Sequence, residues 1–350
     1  MAGNSPSDPT PPLDELEVVV VVDNETDTLS SVDKDVPQIP EIAHLLQRTP
    51  TSRHHDGHDC RTVFDRLCCA CHGLSVMITG RRDGESPRSL LFDVGPYPDL
   101  WLENAERLEI DLSTIECVFL SHWHFDHSGG LAKVVGAIRS ARERAGLTAP
   151  IVDLHPERPD QRGILLPNGV MAMLPEEPSF DDIGQAGGRI EKHDEPHALC
   201  GGFFFGSGAI DRVTDYETGL AGHHSFFGER CERDELIMDE RFVAASVRGR
   251  GTTVLSACSH AGIVNACLAA RNRFRDMPVD LVLGGYHLAG AAMEQRIDAT
   301  VRDLKARIQP RLLAPGHCTG WRAKAKLAAT FAPGQYGPSV VGTVYRLRAA

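Results

Sequence analysis

The stretch Ser121-His122-Trp123-His124-Phe125-Asp126-His127-Ser128-Gly129-Gly130 decides how the rest of the chain is read. From His122 to His127 it holds three imidazoles and one carboxylate. It follows the β-rich run IECVFLSH (115–122). It precedes LAKVVGAIRSARERAG (131–146), whose apolar residues recur at helical spacing and which ends on Gly146, a suitable C-cap. Neutral imidazole and carboxylate are ligands that zinc prefers, with manganese and iron as alternatives. In an extended segment, residues two apart point the same way, so His122 and His124 can share one ion. The turn that follows can aim Asp126 and His127 at a second ion. Gly129 and Gly130 let the backbone bend sharply into the helix.

Working outward, the same arrangement recurs. Four apolar runs (VFLSHWH, TVLSACSH, LVLGGYH and LLAPGH) each end in histidine after a few small or polar residues. Sites in α/β sheets are built at strand ends. If these ends lie on one edge, His122, His124, His260, His287 and His317 converge. Beyond residue 250, predicted strands alternate with the helical patterns AGIVNACLAARNRF and AAMEQRIDATVRDLKARI, which argues for an α/β layered fold. Upstream, LEVVVVVDN (16–24) reads as a buried strand. GLSVMITG (73–80) and SLLFDVG (89–95) read as two strands joined by a turn at Asp83-Gly84, and IVDLH (151–155) as another strand. Residues 25–60 are polar and proline-punctuated, with a short helix at IPEIAHLLQ.

Composition sets the outer bounds. The chain has 350 residues, 42% hydrophobic and 24% charged, which excludes wholesale disorder, collagen-like repeats and coiled coils. The length alone corresponds to roughly two domains of about 150 residues. Lys+Arg is 36 against Asp+Glu 48, a net charge of −12, which argues against nucleic acid as a partner. The longest purely apolar run, Val18 to Val22, is far short of the roughly 20 residues a membrane helix needs. MAGNSPSDPTPP has neither the basic nor the apolar segment of a secretory signal, so the ten cysteines are expected as reduced thiols in the cytoplasm.

HWHFDH matches the HxHxDH signature of the metallo-β-lactamase superfamily, and SLLFDVG resembles that superfamily's first motif. The resemblance implies an α/β fold, a four-layer αββα sandwich. It would run from 15 to 350 as one domain, with insertions around 25–70 and 156–235 and a disordered tail at 1–14. Six blocks resemble, in order, a narrower subfamily, that of 7,8-dihydropterin-6-methyl-4-(β-D-ribofuranosyl)aminobenzene-5′-phosphate synthase. They are HGLSVMI (72–78), GSGAIDRVTDYE (206–217), DERFVA (239–244), SACSHAGIVNA (256–266), GGYHL (284–288) and GHCTGWRAKAKLA (316–328).

The resemblance further implies one or two divalent metals, zinc first, with manganese or iron as alternatives. His122, His124 and His260 would hold one ion, and Asp126, His127 and His317 the other. The superfamily's bridging aspartate is missing. Ser-Ala-Cys-Ser-His stands in its place, so the bridge falls to His260 first and Cys258 second, with a mononuclear site as the alternative. Asp93 would orient the ligand loop without ligating.

The expected activity is hydrolysis of a small anionic metabolite, phosphorylated or ester-like, by metal-activated hydroxide, with Asp126 orienting the nucleophile. The alternatives are a transferase with pyrophosphate as leaving group and a non-catalytic binding module. His287 would ligate or contact substrate. Ser259 would cap the AGIVNA helix, whose first amides would hold an anionic group. Arg212 and Lys192 are secondary phosphate contacts. Cys68-Cys69-Ala70-Cys71-His72, with His54, His55 and His58 upstream, contains a single Cys-x2-Cys and reads as unpaired thiols. His223-His224 reads as part of a glycine-rich loop over the pocket. No membrane partner is expected, and the oligomeric state stays open.

Overall fold

The computed structural model describes residues 10–275 and 277–350. Two mixed sheets form the frame. The first has eight strands, in the order Arg189–Lys192, Ile151–Leu154, Ile115–Phe119, Arg88–Phe92, Ser75–Arg81, Glu15–Val22, Val344–Arg348 and Gln38–Ile39. Its first four strands run parallel to their neighbours, and the remaining pairs are antiparallel. The second has six strands, in the order His197–Leu199, Phe204–Gly206, Val243–Val247, Gly251–Ser256, Val279–Gly285 and Leu312–Gly316.

The burial of apolar side chains explains the layering. Leu16, Val18, Val20, Val76, Phe92 and Phe119 of the first sheet meet Phe204, Val243, Leu255, Leu281, Leu283 and Leu312 of the second in one core. Each such side chain contributes about 1.5–3 kcal/mol when fully buried. The opposite face of the first sheet packs on helices Pro98–Arg107, Leu131–Arg144 and Phe180–Gln185 through Trp101, Leu131, Val135 and Ile183. The opposite face of the second packs on helices Ile263–Arg273, Ile297–Asp303 and Trp321–Thr330 through Val264, Cys267, Val301 and Leu327. Helix, sheet, sheet, helix is the αββα sandwich. Burial alternates from Glu15 to Val19, and both faces are covered from Val20 to Val22, where the sequence is a continuous β-branched run.

Register places the site. Gly251–Ser256, Val279–Gly285 and Leu312–Gly316 are parallel neighbours whose ends lie abreast, with Ser256 opposite Gly284 and Gly285 opposite Gly316. Cys258, His287 and His317 therefore leave the sheet on one edge. Residues 156–235 build a four-stranded sheet of Met171–Met173, Gln161–Leu165, His223–Phe227 and Arg230–Arg233.

Two details depart from the sequence reading. AAMEQRIDATVRDLKARI is not one helix. It breaks into Ala291–Glu294 and Ile297–Asp303 and continues as a π-helical turn, Leu304–Ile308. Of the tail expected at 1–14, residues 1–9 lie outside the described residues. Leu13 is fully buried and donates its N–H to the Ser246 carbonyl at 2.8 Å, so ordered chain begins before residue 15. Among the described residues, no helix is long and apolar enough to cross a membrane.

Candidate metal centre

The HWHFDH segment leaves the first sheet after Phe119 and is anchored from two sides. Asp93 follows the neighbouring strand, fully buried and in the left-handed region (φ 57°). It accepts from Ser121 N at 2.7 Å and Ser121 Oγ at 2.8 Å, and lies 2.7 Å from His127 Nδ1. Trp123, between the two histidines, points the other way into the core, and its N–H donates to Asp239 Oδ2 at 2.7 Å. Arg162 donates to Asp239 Oδ1 at 2.7 Å, so the insertion braces the loop.

The donors gather in two groups. In the first, His124 Nδ1 lies 2.9 Å from His122 Nε2 and 3.1 Å from His260 Nε2, while His124 Nε2 lies 2.9 Å from His223 Nε2. In the second, Cys258 Sγ lies 3.3 Å from His127 Nε2 and 3.2 Å from His317 Nε2. Asp126 Oδ2 is 3.3 Å from His317 Nε2 and 3.6 Å from His127 Nε2. Cys258 belongs to both: its sulfur is also within 4.8 Å of donor atoms of His122 and His260. The sequence ranking of the bridge is thus reversed. Cys258 occupies the shared position, and His260 lies on one side.

Hydrogen bonding around the groups fits a cation. A carboxylate only accepts, so Ser121 Oγ donates to Asp93 and must accept from His122 Nδ1, 2.8 Å away. His127 Nδ1 donates to Asp93 for the same reason. His317 Nδ1 faces Asn24 Oδ1 at 3.0 Å, and His223 Nδ1 faces the Asp234 carbonyl at 2.7 Å. His122, His127 and His317 therefore turn their other nitrogen, a lone pair, toward the cluster, while that of His223 accepts from His124 Nε2. The lone pairs of His122 Nε2 and His124 Nδ1, 2.9 Å apart, repel unless a positive ion lies beside them. The one thiol proton of Cys258 can serve only one of His127 and His317, and outer acceptors of this kind are what hold metal-binding histidines.

Charge agrees. Burial, reinforced by neighbouring imidazoles, pushes His122, His124 and His260 well below the ordinary histidine range, leaving them neutral. Burial opposes ionisation of Asp126, but His127 and then His317 and His72 hold its carboxyl well below the usual range. Burial also opposes a charge on His127, yet Asp126 and Asp93 raise it, a sign of the local negative potential that would attract a metal cation. Burial pushes the Cys258 thiol up, so a bound cation is what would make it a thiolate.

The geometry also assigns the remaining residues. His287 lies beside the first group, its ring 4.3 Å from that of His260 and its Nδ1 buried without a partner, and with Cys258 and Cys318 it makes a third set of donors within 4.8 Å of one another. Ser259 does not cap a helix. It sits in the left-handed region (φ 62°), and its Oγ donates to the Gly285 carbonyl at 2.6 Å, so it is not free to bind substrate. The helix Ile263–Arg273 starts after Gly262, and the chain's own carboxylates take the amides expected to hold an anion. Glu240 accepts from His260 and Ala261, and Glu217 accepts from Val264 and Asn265. Arg212 donates to the Leu236 carbonyl, and Lys192 lies over the Phe180 ring, so neither faces the cluster as a phosphate contact.

Two histidines enter the site that the sequence reading left outside. His223 arrives on the insertion's small sheet, opposite Ile164. His72 stands at the rim with Nε2 3.4 Å from Asp126 Oδ2. No local spacing marks His223, which is 99 residues from His124. His54, His55 and His58 stay apart on an exposed hairpin.

The family model of the metallo-beta-lactamase superfamily matches residues 83–287. Among curated proteins, the chain is 29% identical over 257 residues to the 7,8-dihydropterin-6-methyl-4-(beta-D-ribofuranosyl)-aminobenzene-5′-phosphate synthase of Methanocaldococcus jannaschii, covering 72% of this chain and 82% of that protein. It is 24% identical over 259 residues to an uncharacterized protein of the same organism, covering 74% and 88%. Among solved structures, that of Tm1679, described as a metal-dependent hydrolase of the beta-lactamase superfamily, is similar at TM-score 0.65 and 21% identity, over 95% of this chain and 98% of the other.

Proposed function

Since the chain belongs to the metallo-beta-lactamase superfamily, we propose that its histidine-rich cluster is the active site of a metal-dependent enzyme acting on a small anionic metabolite, by hydrolysis. The observation that carries this reading is the ring of inward-facing lone pairs around Cys258, those of His122, His127 and His317 each fixed by an outer acceptor. His122, His124 and His260 would hold one ion, with His223 fixing the far nitrogen of His124. Asp126, His127 and His317 would hold the other, with Cys258 shared. Zinc suits imidazole, carboxylate and thiolate together. A divalent ion held there lowers the pKa of bound water toward about 7 and stabilises negative charge developing on a substrate oxygen.

The chain's own residues do the rest. Asp126, 21% exposed, is the most open of these donors, and its remaining carboxylate oxygen orients the attacking group and accepts its proton. His72 receives a hydrogen bond at Nδ1 from Asn24, so its Nε2–H points toward Asp126 and the rim, where it meets an anionic substrate group. His287 borders the first group and contacts substrate. Buried Trp123 and Asp93 keep the loop from moving as charge develops.

A second reading rests on the synthase relative at 29% identity. There a pyrophosphate leaving group would bind at the ions held by the same donors while an aromatic carbon attacks, a carbon–carbon bond forming as the bond to pyrophosphate breaks and the ring carbon giving up its proton. Purified protein given a dihydropterin pyrophosphate and a ribosylaminobenzene phosphate releases pyrophosphate with coupled product if this is the reaction; hydrolysis releases it without coupling. Metal analysis tests the shared premise. His122→Ala and His317→Ala should each lose about one metal equivalent. Unchanged metal content in both would overturn the reading.

A further inference from the structure

We propose that Asp153, His193 and His197 form a separate binding site for a divalent transition-metal ion, zinc above all, that ties the two sheets together. Asp153 lies on Ile151–Leu154 of the eight-stranded sheet and is 1% exposed. His193 directly follows Arg189–Lys192, the parallel neighbour of that strand. His197 opens His197–Leu199, the edge strand of the other sheet. His193 Nδ1 at 2.7 Å and His197 Nε2 at 2.8 Å face the same oxygen, Asp153 Oδ2. The two rings stack with centroids 4.0 Å apart.

The hydrogen-bond inventory singles out His197. Its Nδ1 lies 2.9 Å from the Glu195 carbonyl, which only accepts, so Nδ1 carries a proton. In a neutral ring, Nε2 is then a bare lone pair, yet it faces a carboxylate oxygen at 2.8 Å. A cation must lie between two such acceptors, and it is either a second proton on His197 or a metal ion. A histidine that donates one N–H to a backbone carbonyl and turns its other nitrogen inward has the arrangement of a metal ligand. Two imidazoles and one carboxylate select zinc and its neighbours over magnesium or calcium, which take oxygen ligands.

Arg241 completes the site. It is fully buried, and its Nη1 donates to Asp153 Oδ1 at 2.7 Å, which leaves Oδ2 alone for the ion. Side-chain exposures of 33% for His193 and 18% for His197 leave room for water as a fourth ligand. The site shares no residue with the cluster around Cys258. It is linked to it through the Arg241 backbone N–H, which donates to the Ser121 carbonyl at 2.9 Å, and through Leu120, whose N–H donates to the Asp153 carbonyl at 3.0 Å and whose carbonyl accepts from Arg241 Nη2 at 2.7 Å.

The test uses the full chain, stripped with a chelator and dialysed against zinc, with zinc per chain measured by inductively coupled plasma mass spectrometry. The His193→Gln/His197→Gln chain should hold about one equivalent less than wild type. The same difference should persist when both are made in a His122→Ala/His317→Ala background, which separates this site from the proposed active site. Equal zinc in the paired chains would overturn the proposal. Wild-type crystals grown with zinc need no variant. An anomalous peak about 2.0–2.2 Å from the three donor atoms supports the site. No peak there means that a proton is the cation, and overturns it.

Discussion

Replacing Asp93 by Asn removes one charge and almost no volume, and Asn tolerates the left-handed backbone (φ 57°) that Asp93 adopts. The new side-chain oxygen can still accept from Ser121 N, a bond of 2.7 Å in the native chain. The amide nitrogen, however, replaces the oxygen that lies 2.7 Å from His127 Nδ1. A donor now faces Nδ1, so the ring proton moves to Nε2. That nitrogen is the one 3.3 Å from Cys258 Sγ, and with a proton on it His127 is lost as a ligand. Losing an outer partner of a metal-binding histidine costs about 10–100-fold in affinity, or about 1.4–2.7 kcal/mol. The loss should fall mainly on the Asp126, His127 and His317 group; the other feels it through Ser121 Oγ, which donates to the same Asp93 oxygen and accepts from His122 Nδ1.

Asp93→Ala goes further. It leaves Ser121 N–H and His127 Nδ1–H buried without partners, at about 1–3 kcal/mol each, so the metal-free fold should lose about 2–6 kcal/mol. Competition with a chromophoric chelator resolves the two affinities, and urea unfolding of the metal-free chain measures stability. The reasoning is refuted if Asp93→Asn binds both equivalents with wild-type affinity, or if it destabilises the metal-free fold as much as Asp93→Ala does.

Cys258→Ala should lower metal content at both groups, while Cys258→Asp should restore much of it; chelator titration of the two variants is the check. Asp239 is fully buried. Burial raises its carboxyl, but the Arg162 charge and the hydrogen bonds from Trp123 N–H and Arg162 more than offset this and hold it at about 2, below its ordinary 3.8. A folded-state value lowered in this way supplies stability that is complete above about pH 4 and lost as pH falls through about 2, amounting to about 2 kcal/mol. Acid unfolding curves should show that loss in wild type and not in Asp239→Asn. At pH 7 the same variant should be about 3 kcal/mol less stable in urea, because Arg162 keeps its charge with no close partner but Asp234 at 3.7 Å. A Cβ at Gly316 would stand 2.2 Å from Asp23 Oδ2, the carboxylate that accepts from His317 N–H. Gly316→Ala should therefore displace His317 and cost about 1–3 kcal/mol along with metal at the second group, read by melting temperature and metal analysis.

Much of this was legible in the sequence for physical reasons. Strand ends carry their histidines within two or three residues of a β-rich run, and parallel neighbours in register bring such ends together whatever their separation along the chain. The two-residue spacing of His122 and His124, with a large apolar residue between them, is a local rule and needed no tertiary information. What could not be read depends on turns and on distant packing. After Ser256 the chain reverses at Ser259 (φ 62°), which sends Cys258 toward the second group and His260 toward the first. Nothing in Ser-Ala-Cys-Ser-His announces that reversal. His223 reaches His124 only because the insertion folds into its own sheet, and Asp239 reaches Trp123 only because Arg162 on that sheet is buried against it. The amides at the start of Ile263–Arg273 looked vacant in sequence because Glu217 and Glu240 lie far upstream.

In the proposed active site the donor shared by both groups is a sulfur, not the oxygen of the aspartate that the resemblance to the superfamily implies, and that exchange would change which elements can compete for the pocket. Manganese and magnesium gain little from a polarizable donor, whereas cadmium and cuprous copper gain most. In the proposed active site, selection among ions would turn on this one sulfur, and thiophilic metals would compete there as they would not against an aspartate.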